Sequence, residues 1–183
     1  MKPGFALLLL SLTPAWCQLA KPAALTGSNL PLKAARIPAQ VIGEMERAFN
    51  QRLLTMADVN DRVDLLGDTR GVQLDDYGVV FTTEVSLVIT PNITPFMQKI
   101  PPEMAVRVHK LRVERMPLLK AAMQEMMRNT AAAFTQIPAG QRIVLVVRLY
   151  YGAWEDTTGM PAQVIMRADR AAAAAGKVET EER

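Results

Sequence analysis

A single cysteine, Cys17, and a single histidine, His109, stand in 183 residues, and their scarcity closes off several chemistries. One thiol cannot form an internal disulfide, and Cys17 lies outside the segment expected to fold, so cysteine catalysis is excluded there. A metal site usually needs several good ligands, and His109 has no second imidazole or thiol to join it. The chain also lacks a Ser-His-Asp arrangement, a phosphate-binding Gly-rich loop and a zinc motif. Charge of one sign is scarce too: 21 Lys and Arg against 18 Asp and Glu leave a formal +3, which singles out no partner.

The N-terminus is patterned for export. Lys2 supplies a positive start, Phe5 to Leu12 an apolar stretch, and Pro14-Ala15-Trp16-Cys17 the small-residue end of a secretory signal. The apolar stretch is too short to span a membrane. Cleavage after Cys17 would leave Gln18 first and a mature chain without a thiol. The minority alternative is a lipoprotein anchored through Cys17, although Trp16 and Pro14 depart from the small residues that lipidation prefers. Loss of residues 1–17 removes Lys2 and no acid, so the charge becomes 20 minus 18, or +2. The expected location is the periplasm or the exterior, which argues against nucleic acid as a partner.

Residues 18–36 contain Pro22, Gly27, Ser28 and Pro31 without periodicity and read as a flexible leader. At 183 residues the chain has room for one domain with a sizeable core, expected over 37–169. Val41, Met45, Phe49, Leu53, Met56, Val59, Val63 and Leu66 recur by threes and fours, which predicts a helix from Pro38 to Leu66. Gly71 to Leu74 is a short strand candidate. Val79 to Ile89 alternates as a half-buried strand, and Asp75-Asp76-Tyr77-Gly78 between them reads as a hairpin turn. Thr90 to Pro102, with four prolines, reads as a long loop. Within it Asn92-Ile93-Thr94 matches the glycosylation sequon, without meaning in a bacterium.

A second helix is expected from Glu103 to about Gln136, kinked at Pro117. Arg142 to Tyr151 is the most continuously apolar, β-branched run downstream, and Ile143, Leu145, Val147, Leu149 and Tyr151 share one of its faces. A wide loop and a strand beginning at Ala162 complete a second hairpin to Ala168. The tail, 170–183, begins with alanines and ends in charge, and is expected to be disordered or a frayed helix. The fold class is therefore α+β: a two-layer sandwich in which an antiparallel sheet of about four strands is covered by two long helices. Its order is helix, two strands, helix, two strands. The second sheet face, with Thr82, Glu84, Ser86 and Arg148 on it, would leave Val144 and Val146 exposed. Such exposure suggests a partner, a second copy or a covering loop.

Four features bear on chemistry, each with an ordinary reading beside it. His109 is a solvated helix residue unless a partner makes it a base. Arg107, Lys110, Arg112 and Arg115 form a basic cluster that could meet anionic lipid, but Glu103 and Glu114 intersperse it as on common solvated faces. Met116, Met123 and Met127 share a stripe, read first as core and second as a partner groove or thioether copper site. The acidic turns, Asp75-Asp76-Tyr77 and Trp154-Glu155-Asp156, could converge as oxygen ligands or a carboxylate pair if both hairpins project the same way. Those six residues are the candidate binding site. No catalytic residue, metal site or cofactor is assigned.

Gly71-Val72 followed by Tyr77-Gly78-Val79-Val80-Phe81, with Trp154-Glu155-Asp156 and Gly159-Met160-Pro161, resembles a class of exported bacterial proteins of uncharacterised activity. The resemblance covers roughly 70–168 and implies that both turns belong to one structural unit. The expected function is a non-catalytic envelope module that binds itself as a homodimer or binds another envelope protein. It would use the sheet face, an edge strand or the Met-rich helix. The alternative is a hydrolase or cation-dependent enzyme built on the acidic turns. Peripheral contact with a membrane surface is the disfavoured third reading.

Overall fold

The computed structural model describes residues 36–57, 62–91 and 99–183. The signal segment, Cys17, nearly all of the leader and the sequon lie outside the described residues. Lys33–Arg183 forms one compact unit. It contains α1 (Ala39–Leu54), β1 (Asp64–Leu74), β2 (Gly78–Ser86), α2 (Pro102–Ala133), β3 (Arg142–Leu149), β4 (Gln163–Asp169), α3 (Arg170–Ala174) and β5 (Glu179–Glu182). The strands form one sheet in the order β1-β2-β3-β4-β5, antiparallel except for the central pair β2/β3.

Two sequence expectations are corrected at the first helix. It ends at Leu54 rather than Leu66, with Thr55 donating its hydroxyl to Gln51 O. Asp64 to Leu66 instead open β1, which is 11 residues long where only Gly71 to Leu74 looked like a strand. The spacing of Val63, Leu65 and Leu66 is compatible with both periods, and pairing with β2 decides it. β1 reaches β2 through register shifts between Leu65 and Gly67 and between Gly67 and Arg70. Such bulges bend an edge strand and weaken its alternation as a sequence signal. β2 likewise stops at Ser86, so Ile89 is not a core-face residue but 60% exposed.

The core lies between the helices and one face of the sheet. Phe49 of α1, Phe81 of β2 and Phe134 after α2 form a chain of rings with centroids 4.9 and 6.0 Å apart. Ile143, Leu145, Val147 and Leu149 of β3 are buried as their alternation predicts, with Val164 and Met166 of β4 beside them. Met116, Met123 and Met127 are buried in this core too, so the methionine stripe is packing material rather than a surface groove. α2 runs unbroken through Pro117, which sits on its exposed side. At 32 residues it is about 48 Å long, against about 26 Å for the eight residues of β3, so it overhangs the sheet.

Gly71 and Gly78 are demanded by close approach. A Cβ on Gly71 would stand 2.5 Å from the Phe81 ring and 2.7 Å from Ile42 of α1. At Gly78, with φ +136°, it would stand 1.9 Å from Arg142 O, where β2 and β3 begin side by side.

The tail also departs from expectation, because it is ordered. The alanines form α3, which ends in a Schellman turn: Gly176, at φ 72°, donates to Ala173 O, and Lys177 N donates to Ala172 O. Ala173 is fully buried and β5 pairs with β4 from Val164/Glu182 to Arg167/Glu179. Glu-Thr-Glu-Glu has little strand propensity, so the pairing and the fork of Arg167 on Glu179, at 2.9 Å for both bonds, hold it there. Among the described residues no helix is long and apolar enough to cross a membrane.

Candidate functional site

The six candidate residues do not converge. β2 and β3 run parallel, joined by the α2 crossover. The β1–β2 turn therefore lies at one end of the sheet and the β3–β4 loop at the other, about 25 Å away for strands of this length. Two hairpins joined edge to edge in antiparallel fashion would have pointed their turns the same way; the long helix between them makes the join parallel. Asp75, Asp76 and Tyr77 are exposed in a tight turn closed by Tyr77 N on Leu74 O, with Asp76 at φ 60°. Among the described residues no group of three His, Cys, Asp or Glu side chains could hold a metal ion.

At the far end, Glu155 faces inward. Its carboxylate receives Arg112 Nε at 2.5 Å on Oε2 and Arg112 Nη2 at 2.8 Å on Oε1, and the two side chains are 0% and 1% exposed. Gly152 N donates to the same Oε1 at 2.9 Å, the hydroxyl of Thr90 stands 3.4 Å from it, and Arg112 Nη2 reaches Ser86 Oγ at 3.2 Å. The guanidinium lies 4.9 Å from the centroid of the Tyr151 ring, a cation–π distance. Burial raises the Tyr151 phenol above its ordinary pKa, against the opposing effect of Arg112, and its hydroxyl donates to Pro161 O. Arg115, also buried, donates to Leu87 O.

Reading the basic cluster as a solvated face thus missed Arg112 and Arg115. The signal was present in the spacing: Val108, Arg112, Arg115, Leu119, Met123 and Met126 fall at intervals of three and four on the buried side of α2. Arg112 and Glu155 make a clamp that fixes the β3–β4 loop to the helix and to the end of β2. Around it, His109 Nδ1 contacts Asp156 O at 3.0 Å. Hydrogen bonds from Thr158 hold the exposed Asp156 carboxyl below its usual range.

The other feature that could meet a partner is the sheet face opposite the helices. Register places four rows across it. Val72, Val80, Val144, Arg167 and Glu179 make one; Arg70, Thr82, Val146, Ile165 and Glu181 make the next. Gly67, Glu84, Arg148 and Gln163 lie beyond these at one end, and Leu74, Gly78, Arg142 and Asp169 at the other. No described helix or strand covers this face. Val72 is 55% exposed and Leu74 45%, while Val144, expected to be exposed, is buried to 7% between Val80 and Arg167. Ser86, also expected here, is buried instead, donating to Val88 O and meeting Arg112.

Both sheet edges are guarded. On β1 the N–H groups of Thr69 and Gly71 donate to Asn50 Oδ1 at 2.9 Å and Glu46 Oε1 at 2.7 Å, both from α1. Being alternate residues, they point away from β2, so α1 occupies donors that an added strand would need. On the other edge β5 is short and carries three glutamates in four residues. A depression of about 490 Å³ beside it is lined by Arg142, Arg167 and Lys177, but Asp169 and Glu179 pair with the two arginines and cancel most of its positive character.

No family model matches the chain, and neither the curated proteins nor the solved structures contain a match to it.

Proposed function

We propose that this chain is an exported, non-catalytic binding module of the cell envelope that engages its partner through the open face of the sheet. One observation carries the reading: Val80, Val146 and Ile165 lie mid-sheet on a face without a described cover, and Val72 and Leu74 continue this apolar patch to the β1 edge. An antiparallel sheet that only faced water would alternate to polar residues there. Edge pairing has less support because Glu46 and Asn50 occupy the β1 donors. The Met-rich helix has less because its methionines are core. The enzyme reading required the acidic turns to meet, and they lie at opposite ends of the sheet.

Export follows from the pattern of residues 1–17, and the mass of the mature chain, starting at Gln18, tests it. The binding face is tested by Val72→Lys with Val146→Lys. The double variant should keep its circular dichroism and unfolding midpoint and lose its association; full retention of association would remove this reading.

A further inference from the structure

We propose that β5 is an acid-released strap: protonation of its three glutamates frees residues 177–183 from β4 and opens that edge of the sheet to strand pairing. The device belongs to the sheet edge and is independent of the binding face above. It rests on two features of the strap. The first is that β5 buries little. Register sets Thr180 beside Met166 and Glu182 beside Val164 on the helix side, and both strap residues are exposed although Met166 and Val164 are fully buried. Val178 is the strap side chain that packs against the core, and only partly; the turn at Gly176 divides it from α3, which Ala173 anchors.

The second feature is that the side-chain tethers of β5 all end on carboxylates. Glu179 takes the Arg167 fork, Glu181 stands 3.6 Å from Arg167 and 2.6 Å from Arg183, and Glu182 pairs with Lys120 of α2 at 2.5 Å. Arg142 of β3 also acts on Glu179, while Lys177 lies in the adjoining depression, Asp169 pairs loosely with Arg142, and Tyr77 faces Arg167 from the β1–β2 turn. Protonating the glutamates therefore removes attraction at every tether. Hydrogen bonds and charge from Arg167 hold the Glu179 carboxyl below its usual range, so its contribution is complete above the ordinary glutamate pKa and is lost as pH falls through the lowered value. An exposed pair shifts a local equilibrium by about 1.5- to 5-fold, so loss at all three carboxylates raises strap opening by roughly 3- to 100-fold. β4 does not follow the strap, because Val164 and Met166 are fixed in the core and its other edge is paired with β3. Release therefore bares a row of backbone donors and acceptors, the template on which strands add.

Backbone alternation supplies the readout. Gln163 N donates to Arg183 O at 3.0 Å, so the Ile165 and Arg167 amides also point at β5, whereas Leu149 N donates to Ala162 O and the amides of Val164, Met166 and Ala168 point at β3. The test is amide exchange of the full chain, resolved by NMR and corrected for intrinsic rates, from neutral pH down through the carboxylate range. Exchange at Ile165 and Arg167 rises by roughly 3- to 100-fold in acid while Val164, Met166 and Ala168 keep their protection. Glu179→Gln with Glu181→Gln and Glu182→Gln reproduces that alternating pattern at neutral pH, where the Arg112–Glu155 pair is intact, which separates strap release from general acid unfolding. Acceleration at all five amides together, none at Ile165 and Arg167, or a triple variant protected like the wild type at neutral pH overturns the proposal.

Discussion

Removing Glu155 should cost this fold more than any other single surface-loop carboxylate. Glu155→Ala leaves Arg112 fully buried with both of its fork bonds gone, Gly152 N without its acceptor, and only the Ser86 hydroxyl and the Tyr151 ring, neither of them charged, beside the guanidinium. Breaking one half of a buried pair typically costs about 3–5 kcal/mol, because the remaining charge must be desolvated without compensation. For a domain of this size that is a fall in Tm of roughly 6–20 °C. Replacing both partners, Arg112→Met with Glu155→Leu, removes the stranded charge and should recover much of the loss. Urea unfolding of the four proteins in the cycle measures the coupling, expected at about 2 kcal/mol or more. Amide exchange in 150–162 should rise in Glu155→Ala, since the clamp is what ties that loop to α2. A Glu155→Ala loss below about 1 kcal/mol, or additive single effects, would refute the clamp.

The remaining expectations concern the backbone and the edges. Gly78→Ala forces a Cβ into Arg142 O at φ +136° and should destabilise by roughly 2–4 kcal/mol, read as a lower urea midpoint; a neutral result would mean the β2/β3 junction is looser than it stands. Glu46→Ala with Asn50→Ala uncovers the Gly71 and Thr69 donors, costing about 1 kcal/mol each and promoting edge-to-edge aggregation, followed by light scattering. The Glu179 carboxyl is held low by its hydrogen bonds from Arg167. Its contribution is therefore present above the ordinary glutamate pKa and is lost as pH falls through the lowered value. Amide exchange at 179–182 should accelerate in that acid window before 143–149 responds, and simultaneous loss of both would contradict a separately tethered β5.

Several features were legible from residues alone because they depend on local period. The buried face of β3, the extent of α2, the α1 stripe through Phe49 and Leu53, and the two-layer α+β class all follow from spacing of apolar side chains. The positions of the turns followed from Asp, Gly and Pro chemistry. What spacing could not supply was direction. Whether β2 and β3 run parallel depends on a crossover helix packing back onto the sheet, and that alone sent Asp75, Asp76 and Tyr77 to the opposite end from Trp154, Glu155 and Asp156. The charged residues were misread for a related reason, since Arg112 looks solvated until a carboxylate 43 residues away arrives to neutralise it. β5 is the same case in strand form: Glu-Thr-Glu-Glu has no tendency to extend until β4 offers hydrogen bonds and Arg167 offers charge. Local periodicity is a property of neighbours in the chain, and it determined the elements. Sheet direction, ion pairing and strand addition are free energies of residues distant in sequence, and only the assembled structure decided them.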